Sequence, residues 1–175
     1  MPEWALQFPI EKTRSYAARF PSGNDDAALA VGKAARGRGH YTREEFIRVC
    51  RWKSERSRSH AARNTSEAVE AATRVALSEA STERERMNAL RSLHGVEWAT
   101  ASVLLHLAYP ERYPILDQRA LQAFGVVVPR SSYSYRFWEA YLDAWRPLLA
   151  QAGVDGRTFD QALWQWSKEE GAPLP

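Results

Sequence analysis

Leu93-His94-Gly95-Val96-Glu97-Trp98-Ala99-Thr100-Ala101-Ser102 reads as the end of one helix, a sharp turn and the start of a second helix. Gly95 is the residue that can take the chain through the left-handed region without steric cost. The incoming helix is opened by Thr82-Glu83-Arg84-Glu85, a capping-box pattern, and Met87, Leu90 and Leu93 give it an apolar face. The outgoing helix is predicted from about Trp98 to Tyr109, where Pro110 stops it. A buried Val96 and the small Ala99, Ala101 and Ser102 let the two helices pack closely. Such a turn points the first N–H groups of the second helix outward, where they can bind phosphate whatever the base sequence. Gly95, Val96, Glu97, Trp98 and Thr100 are therefore candidate backbone-binding residues, with His94 and Trp98 facing the same side.

One helix length further on, Tyr113-Pro114-Ile115-Leu116-Asp117-Gln118-Arg119-Ala120 sets a single carboxylate where another helix begins. An aspartate in that position caps the helix, which contributes about 1 kcal/mol.

Working outward, helix starts recur and strand alternation is nearly absent, Val126 to Val128 being the only short β-branched run, so the class is all-α. Thr42-Arg43-Glu44-Glu45 is a capping box opening a helix from about Arg43 to Lys53, with Phe46, Val49 and Cys50 on its apolar face. Asn64-Thr65-Ser66-Glu67 offers another cap, and Thr158-Phe159-Asp160-Gln161 a further capping box before a short last helix. Trp138, Tyr141, Leu142, Trp145, Leu148 and Leu149 form one helical stripe, which Pro147 is expected to kink or split and Gly153 to end.

The net charge of +3 hides an uneven distribution. Arg36 to Arg63 holds nine Arg or Lys against three Glu, a surplus of six and a candidate phosphate-facing surface. Twenty of the 24 basic residues are arginine, whose planar fork suits bidentate phosphate contacts, although codon bias and a solvated helix face give the same count. Within this stretch Arg51-Trp52-Lys53-Ser54-Glu55-Arg56 puts an aromatic between cations. Trp52, Lys53 and Arg56 are thus candidate stacking or backbone contacts, against the alternative of a surface helix with one buried tryptophan. In the polar loop Arg130 to Arg136, Tyr133 and Tyr135 are candidate ligand contacts, and an ordinary connector reads equally well. Trp138, Trp145, Trp164 and Trp166 are assigned to packing.

Seven tryptophans and 45% hydrophobic residues in 175 indicate one folded chain. Cys50 is the only cysteine, which excludes a disulfide framework, a four-cysteine zinc site and a cysteine-held iron-sulfur cluster. His40, His60, His94 and His106 lack metal-ligand spacing, so neither a metal nor a cofactor is expected. The most apolar stretch, Ala99 to Ala108, is too short to span a bilayer, and a cytoplasmic protein with no membrane partner is expected.

The stretch from Leu93 to Gly125 resembles the signature of the helix-hairpin-helix base-excision DNA glycosylase superfamily, over 33 of the 175 residues. In that family the hairpin reads roughly Leu-Pro-Gly-Val-Gly, a variable pair, then Thr-Ala, and an aspartate opens a later helix. Leu93, Gly95, Val96, Thr100, Ala101 and Asp117 match, and Pro114-Ile115-Leu116-Asp117 is similar to the segment adenine glycosylases carry there. His94 replaces the proline, Glu97 replaces the second glycine and sets a negative charge beside the phosphate, and Ala99 stands where bifunctional members carry their Schiff-base lysine. The four-cysteine cluster of many members is missing.

The resemblance implies a single glycosylase-like domain over 1–175, with approximate lobes 26–110 and 1–25 plus 111–175 around a cleft that Asp117 faces. It implies duplex DNA as partner, with a nucleotide flipped into that cleft. Asp117 is then the catalytic carboxylate of a monofunctional enzyme that hydrolyses the N-glycosidic bond of a damaged or modified base, Ala99 removing the lyase branch. The alternatives are a non-catalytic DNA-binding protein of the same fold, in which Asp117 only caps its helix, and a helical partner-binding protein that ignores DNA.

Overall fold

The computed structural model describes residues 3–174, and among them all regular structure is helical, with no strand. In chain order the helices are α1 (Thr13–Ala18), α2 (Asp25–Arg38), α3 (Arg43–Lys53), α4 (Arg58–Ala61) and α5 (Ser66–Leu77). Then come α6 (Glu83–Arg91), α7 (Trp98–Ala108), α8 (Gln118–Gln122), α9 (Tyr135–Ala152) and α10 (Gly156–Glu170). Short 3-10 turns lie at Ile10–Lys12, Glu55–Ser57 and Arg130–Ser132. No helix of the described residues is long and apolar enough to cross a membrane. The chain divides into two compact units, Gly23–Tyr109, and Met1–Ser22 with Pro110–Pro175.

The unit Gly23–Tyr109 is built around α7. Ten of its eleven residues are buried, all but Ala99, because the helix is apolar on every side and neighbours cover it on every side. Its crossing with α2 depends on Gly32, where a Cβ would fall 2.0 Å from the Leu107 carbonyl oxygen. Tyr41, fully buried between α2 and α3, donates its hydroxyl to the Leu104 carbonyl at 2.7 Å and its N–H to Thr73 Oγ1 at 3.0 Å, fastening its loop to both α7 and α5. Burial pushes that phenol far above its ordinary pKa. The capping boxes at Thr42 and Thr82 form as their local patterns dictate, each with its Glu three residues on.

At α5 the cap sits one residue later than the sequence pattern suggests. Thr65, not Asn64, accepts the first-turn N–H, from Ala68, so Glu67 does not close a box. Asn64 is instead 5% exposed and bonded elsewhere, as described below. Arg86, 2% exposed, donates to the Ala76 carbonyl at 2.7 Å and so satisfies the last turn of α5 with a cation at its negative end.

The second unit is organised by α9 and α10. Trp138, Tyr141 and Trp145 line the buried side of α9, with Trp138 stacked on Tyr113 at 6.4 Å and Trp145 against Phe159 of α10 at 5.9 Å. Contrary to expectation, Pro147 does not split α9, which runs unbroken to Gly153. The carbonyl that loses its partner there belongs to Asp143, and both residues are exposed, where solvent is at hand to replace the missing bond. The last helix is also longer than expected, and its cap is Asp155 rather than Thr158. Asp155 accepts the Thr158 N–H at 2.8 Å and the Thr158 hydroxyl at 2.6 Å, which places Thr158 inside the first turn. Burial raises the Asp155 carboxyl, but these hydrogen bonds together hold its pKa below the ordinary value. Arg157 and Asp160, both buried, pair at 2.5 Å across one turn. The extended segment before α1 pairs its Ala5 and Gln7 N–H groups with the Phe124 and Ala123 carbonyls at 3.1 and 2.9 Å.

Candidate functional site

In the unit Gly23–Tyr109, α6 and α7 meet at the turn predicted from sequence. Gly95 has φ +79°, and a Cβ there would lie 2.9 Å from His60 Cβ and 3.1 Å from the Ala61 nitrogen, so both conformation and space demand glycine. The turn is clamped by Asn64. Its carboxamide accepts the His94 N–H at 2.8 Å and donates to the His94 carbonyl at 2.9 Å and the Ala61 carbonyl at 3.0 Å. Arg43 in turn braces the loop carrying Asn64, donating to the Asn64 and Ala62 carbonyls at 2.8 and 2.7 Å. Nothing local in the sequence marks Asn64 for this task, since its partner is thirty residues away.

Beyond the turn, α7 begins at Glu97 with no side-chain cap hydrogen bond, as do α1 and α2, whereas α3, α5, α6, α8, α9 and α10 are each capped by a side chain. Uncapped first-turn N–H groups are the kind of donor that an outside anion can use. Val96 is buried and Gly95 exposed, as that role requires. Thr100 is 7% exposed and Trp98 9%, so their side chains pack inward and only their backbone can serve a ligand. Trp98 therefore does not present its ring outward, because the Arg91 guanidinium lies 4.1 Å from the ring centroid and covers it. The same guanidinium approaches the Glu97 carboxylate at 3.5 Å, partly neutralising the charge nearest the open N–H groups. His94 is exposed beside them.

The basic surplus between Arg36 and Arg63 is largely engaged within the unit. Arg38 pairs with Glu45 at 2.8 Å, Arg48 with Glu44 at 3.3 Å and Arg51 with Glu55 at 2.8 Å, while Arg36 lies over the Tyr109 ring at 4.4 Å. The Arg38 pair holds the Glu45 carboxyl below its ordinary pKa. Half-buried Trp52 lines a groove between α2 and α3 with Ala28, Val31, Arg48, Arg51 and Glu55. Lys53 and Arg56 lie outside that lining, Lys53 half-buried at the end of α3 and Arg56 exposed in the following 3-10 turn.

In the other unit, Asp117 caps α8. Its Oδ1 accepts the Arg119 N–H at 2.9 Å, and its carbonyl accepts the Leu121 N–H at 2.9 Å. The carboxylate is half-exposed, and buried Tyr113, Ile115 and Leu116 lead into it. Tyr141 fixes that lead-in by donating its hydroxyl to the Ile115 carbonyl at 3.2 Å.

Tyr133 is half-buried and stacked on Phe137 at 5.3 Å. Its phenol is held above its ordinary pKa by burial and by the charge of Asp117, against the opposing pull of Arg130. The Tyr141 phenol is raised by burial, by Asp160 and by Asp117. Asp117 and the candidate Tyr133 are thus electrostatic neighbours, while Tyr135, also half-buried, forms the first residue of α9.

Among the described residues no group of three or more His, Cys, Asp or Glu side chains could hold a metal ion. Burial pushes the Cys50 thiol up to about 12, which keeps it protonated and unreactive at neutral pH.

No protein-family model matches the sequence, and no curated protein or solved structure matches it with significance.

Proposed function

We propose that the chain is a monofunctional DNA glycosylase-like protein: a helix-hairpin-helix grip on the DNA backbone at Gly95 to Thr100, and Asp117 as the carboxylate that assists hydrolysis of an N-glycosidic bond. The observation that carries this reading is the start of α7, where a helix follows a positive-φ glycine and leaves its first N–H groups without a side-chain cap. Phosphate is the ligand such a terminus suits, through partial positive charge and N–H donors together. The Asn64 clamp supports it, because a rigid turn binds with less loss of conformational freedom.

The resemblance supplies the rest of the arrangement, two lobes with Asp117 turned toward a nucleotide rotated out of the duplex. The bond between C1′ of the sugar and the base nitrogen breaks, and positive charge develops on the sugar. Asp117, fixed by the Arg119 N–H, stabilises that charge electrostatically. Water then forms the new C1′–O bond and gives its proton to Asp117 or to the departing base. Ala99 supplies no amine, so no Schiff base and no strand cleavage follow.

One observation favours a second reading, a DNA-binding protein without catalysis: Asp117 already has a structural task as the cap of α8. Base release from duplexes carrying alkylated, oxidised or deaminated bases, with alkali used to cleave the abasic product, separates the two. Release that Asp117→Asn abolishes supports the enzyme. Duplex binding with no release from any lesion, or equal release by the variant, leaves the binding protein. Absence of salt-dependent binding to duplex DNA removes both.

A further inference from the structure

The groove between α2 and α3 lies within the unit Gly23–Tyr109 and shares no residue with the turn before α7 or with the Asp117 site. Each of its walls is one helix face. Asn24, Ala27 and Ala28 follow one another at three- and four-residue spacing along the start of α2, and Arg48, Arg51 and Trp52 do so along α3. The small alanines leave room across from the tryptophan. The resulting cavity has a volume of about 530 Å³, within the range of small-molecule sites, about 300–1,000 Å³.

The lining combines two chemistries. Trp52 is half-buried, so packing holds its indole while part of it stays open to the groove, and a flat aromatic ring stacks on such a surface whatever its identity. Arg48 and Arg51 stand beside it with side chains 60% and 54% exposed. They pair with Glu44 at 3.3 Å and Glu55 at 2.8 Å, but exposed pairs hold weakly, and a phosphate competes for the same guanidinium donors. Asn24 makes no side-chain cap hydrogen bond to α2, which leaves its carboxamide a donor and an acceptor to offer the edge of a base. Among the described residues of the lining Glu55 is the one carboxylate, against two arginines.

We infer that this groove is a nucleotide site, with the base stacked on Trp52 and the 5′-phosphate held by Arg48 and Arg51. An aromatic surface and a pair of guanidinium groups on one wall fit a molecule that carries both a flat ring and a phosphate. The site stands apart from the hairpin and needs no duplex, so it goes beyond the glycosylase reading and survives or fails without it. A free nucleoside monophosphate and the phosphorylated 5′ end of a single strand share this chemistry.

The test is calorimetric titration of the full chain with adenosine 5′-monophosphate, adenosine, inorganic phosphate, and a short single strand of deoxyadenosine with and without a 5′-phosphate. The monophosphate is expected to bind, adenosine about tenfold more weakly and phosphate more weakly still. A strand whose affinity rises with its 5′-phosphate assigns the site to strand ends, and one whose affinity does not rise assigns it to the free nucleotide. Trp52→Leu should weaken the monophosphate about tenfold, and Trp52→Phe should restore most of the loss. Arg48→Gln and Arg51→Gln should each weaken it about threefold while leaving adenosine unchanged. Glu55→Gln frees Arg51 and should tighten it about twofold. The arginine variants alter exposed side chains, so they decide the question even where Trp52→Leu lowers the melting temperature. No binding of the monophosphate at millimolar concentration, equal binding of adenosine or of phosphate, or wild-type affinity in the arginine variants overturns the inference.

Discussion

Two helix starts in this molecule differ in how they are capped. At α8 the first-turn N–H of Arg119 is satisfied by the Asp117 side chain, so that terminus holds an anion belonging to the protein. At α7 no side chain does so. The flanking turns differ accordingly. The one before α7 is a positive-φ glycine clamped by a distant asparagine, while the one before α8 is a buried extended segment fixed by Tyr141. On the reading proposed above, the same dipole binds a ligand at α7 and orients a catalytic group at α8, depending on whether the capping position carries an acceptor.

The largest effect is expected at Asp117. Asp117→Asn should lower single-turnover base release by on the order of 10³-fold, the scale of removing one preorganised charge from a reacting centre, while duplex affinity and melting temperature stay close to wild type. Asparagine caps helices as well as aspartate does, so the cap survives the loss of charge. Asp117→Ala removes both and should also lower stability by about 1 kcal/mol, seen in urea unfolding. Comparing the two variants separates capping from catalysis. If Asn and Ala variants lose stability equally and neither changes release, the two helix starts differ only structurally.

Next comes Asn64→Ala, which deletes three hydrogen bonds that hold the turn before α7. Two backbone groups of His94 and one of Ala61 lose their partner, and a cost of about 2 to 3 kcal/mol is expected. Salt-dependent duplex binding should weaken with it when measured well below the unfolding transition. A stable variant with full DNA affinity would mean the turn needs no clamp. Gly95→Ala is expected to cost about 1 to 2 kcal/mol, from the positive φ and from the approach to His60 and Ala61. Gly39→Ala, with φ +89° but open space around it, is the control that isolates the steric part.

What the sequence discloses here follows the range of the interactions involved. Thr42 and Thr82 could be read as capping residues because each box closes within four residues. Asp117 at the start of α8 and Gly95 at the turn were legible for the same reason. The helix Asp25–Arg38 carries no comparable pattern, since apart from Asp25 its buried positions are the small Ala28, Val31, Gly32 and Ala35, whose burial depends on packing against neighbours such as α7. Asn64 opens the segment that reads as a cap, although Thr65 supplies the cap itself. The use of Asn64 as a clamp depends on a residue thirty positions on. Trp98 sits in the first turn of α7, and Arg91, one helix earlier, covers its ring. The unpaired hydroxyl of Tyr133 is likewise a property of packing, invisible in the Arg130 to Arg136 segment itself.

The smallest effect concerns the residue that departs most from the resemblance. Glu97 carries a carboxylate at the very terminus proposed to accept phosphate, and such a charge opposes a second anion. Arg91 offsets it only in part, because the contact is 3.5 Å and the glutamate side chain is 82% exposed. Glu97→Gln should therefore tighten duplex binding by about two- to fivefold at low ionic strength, with the gain fading as salt rises, since screening weakens repulsion between exposed charges. Arg91→Gln should act in the opposite direction and expose the Trp98 ring. The sign matters more than the size. Tighter binding for Glu97→Gln together with weaker binding for Arg91→Gln means that the phosphate lies against the start of α7. Unchanged affinity in both places the DNA elsewhere and leaves the uncapped helix start without a ligand.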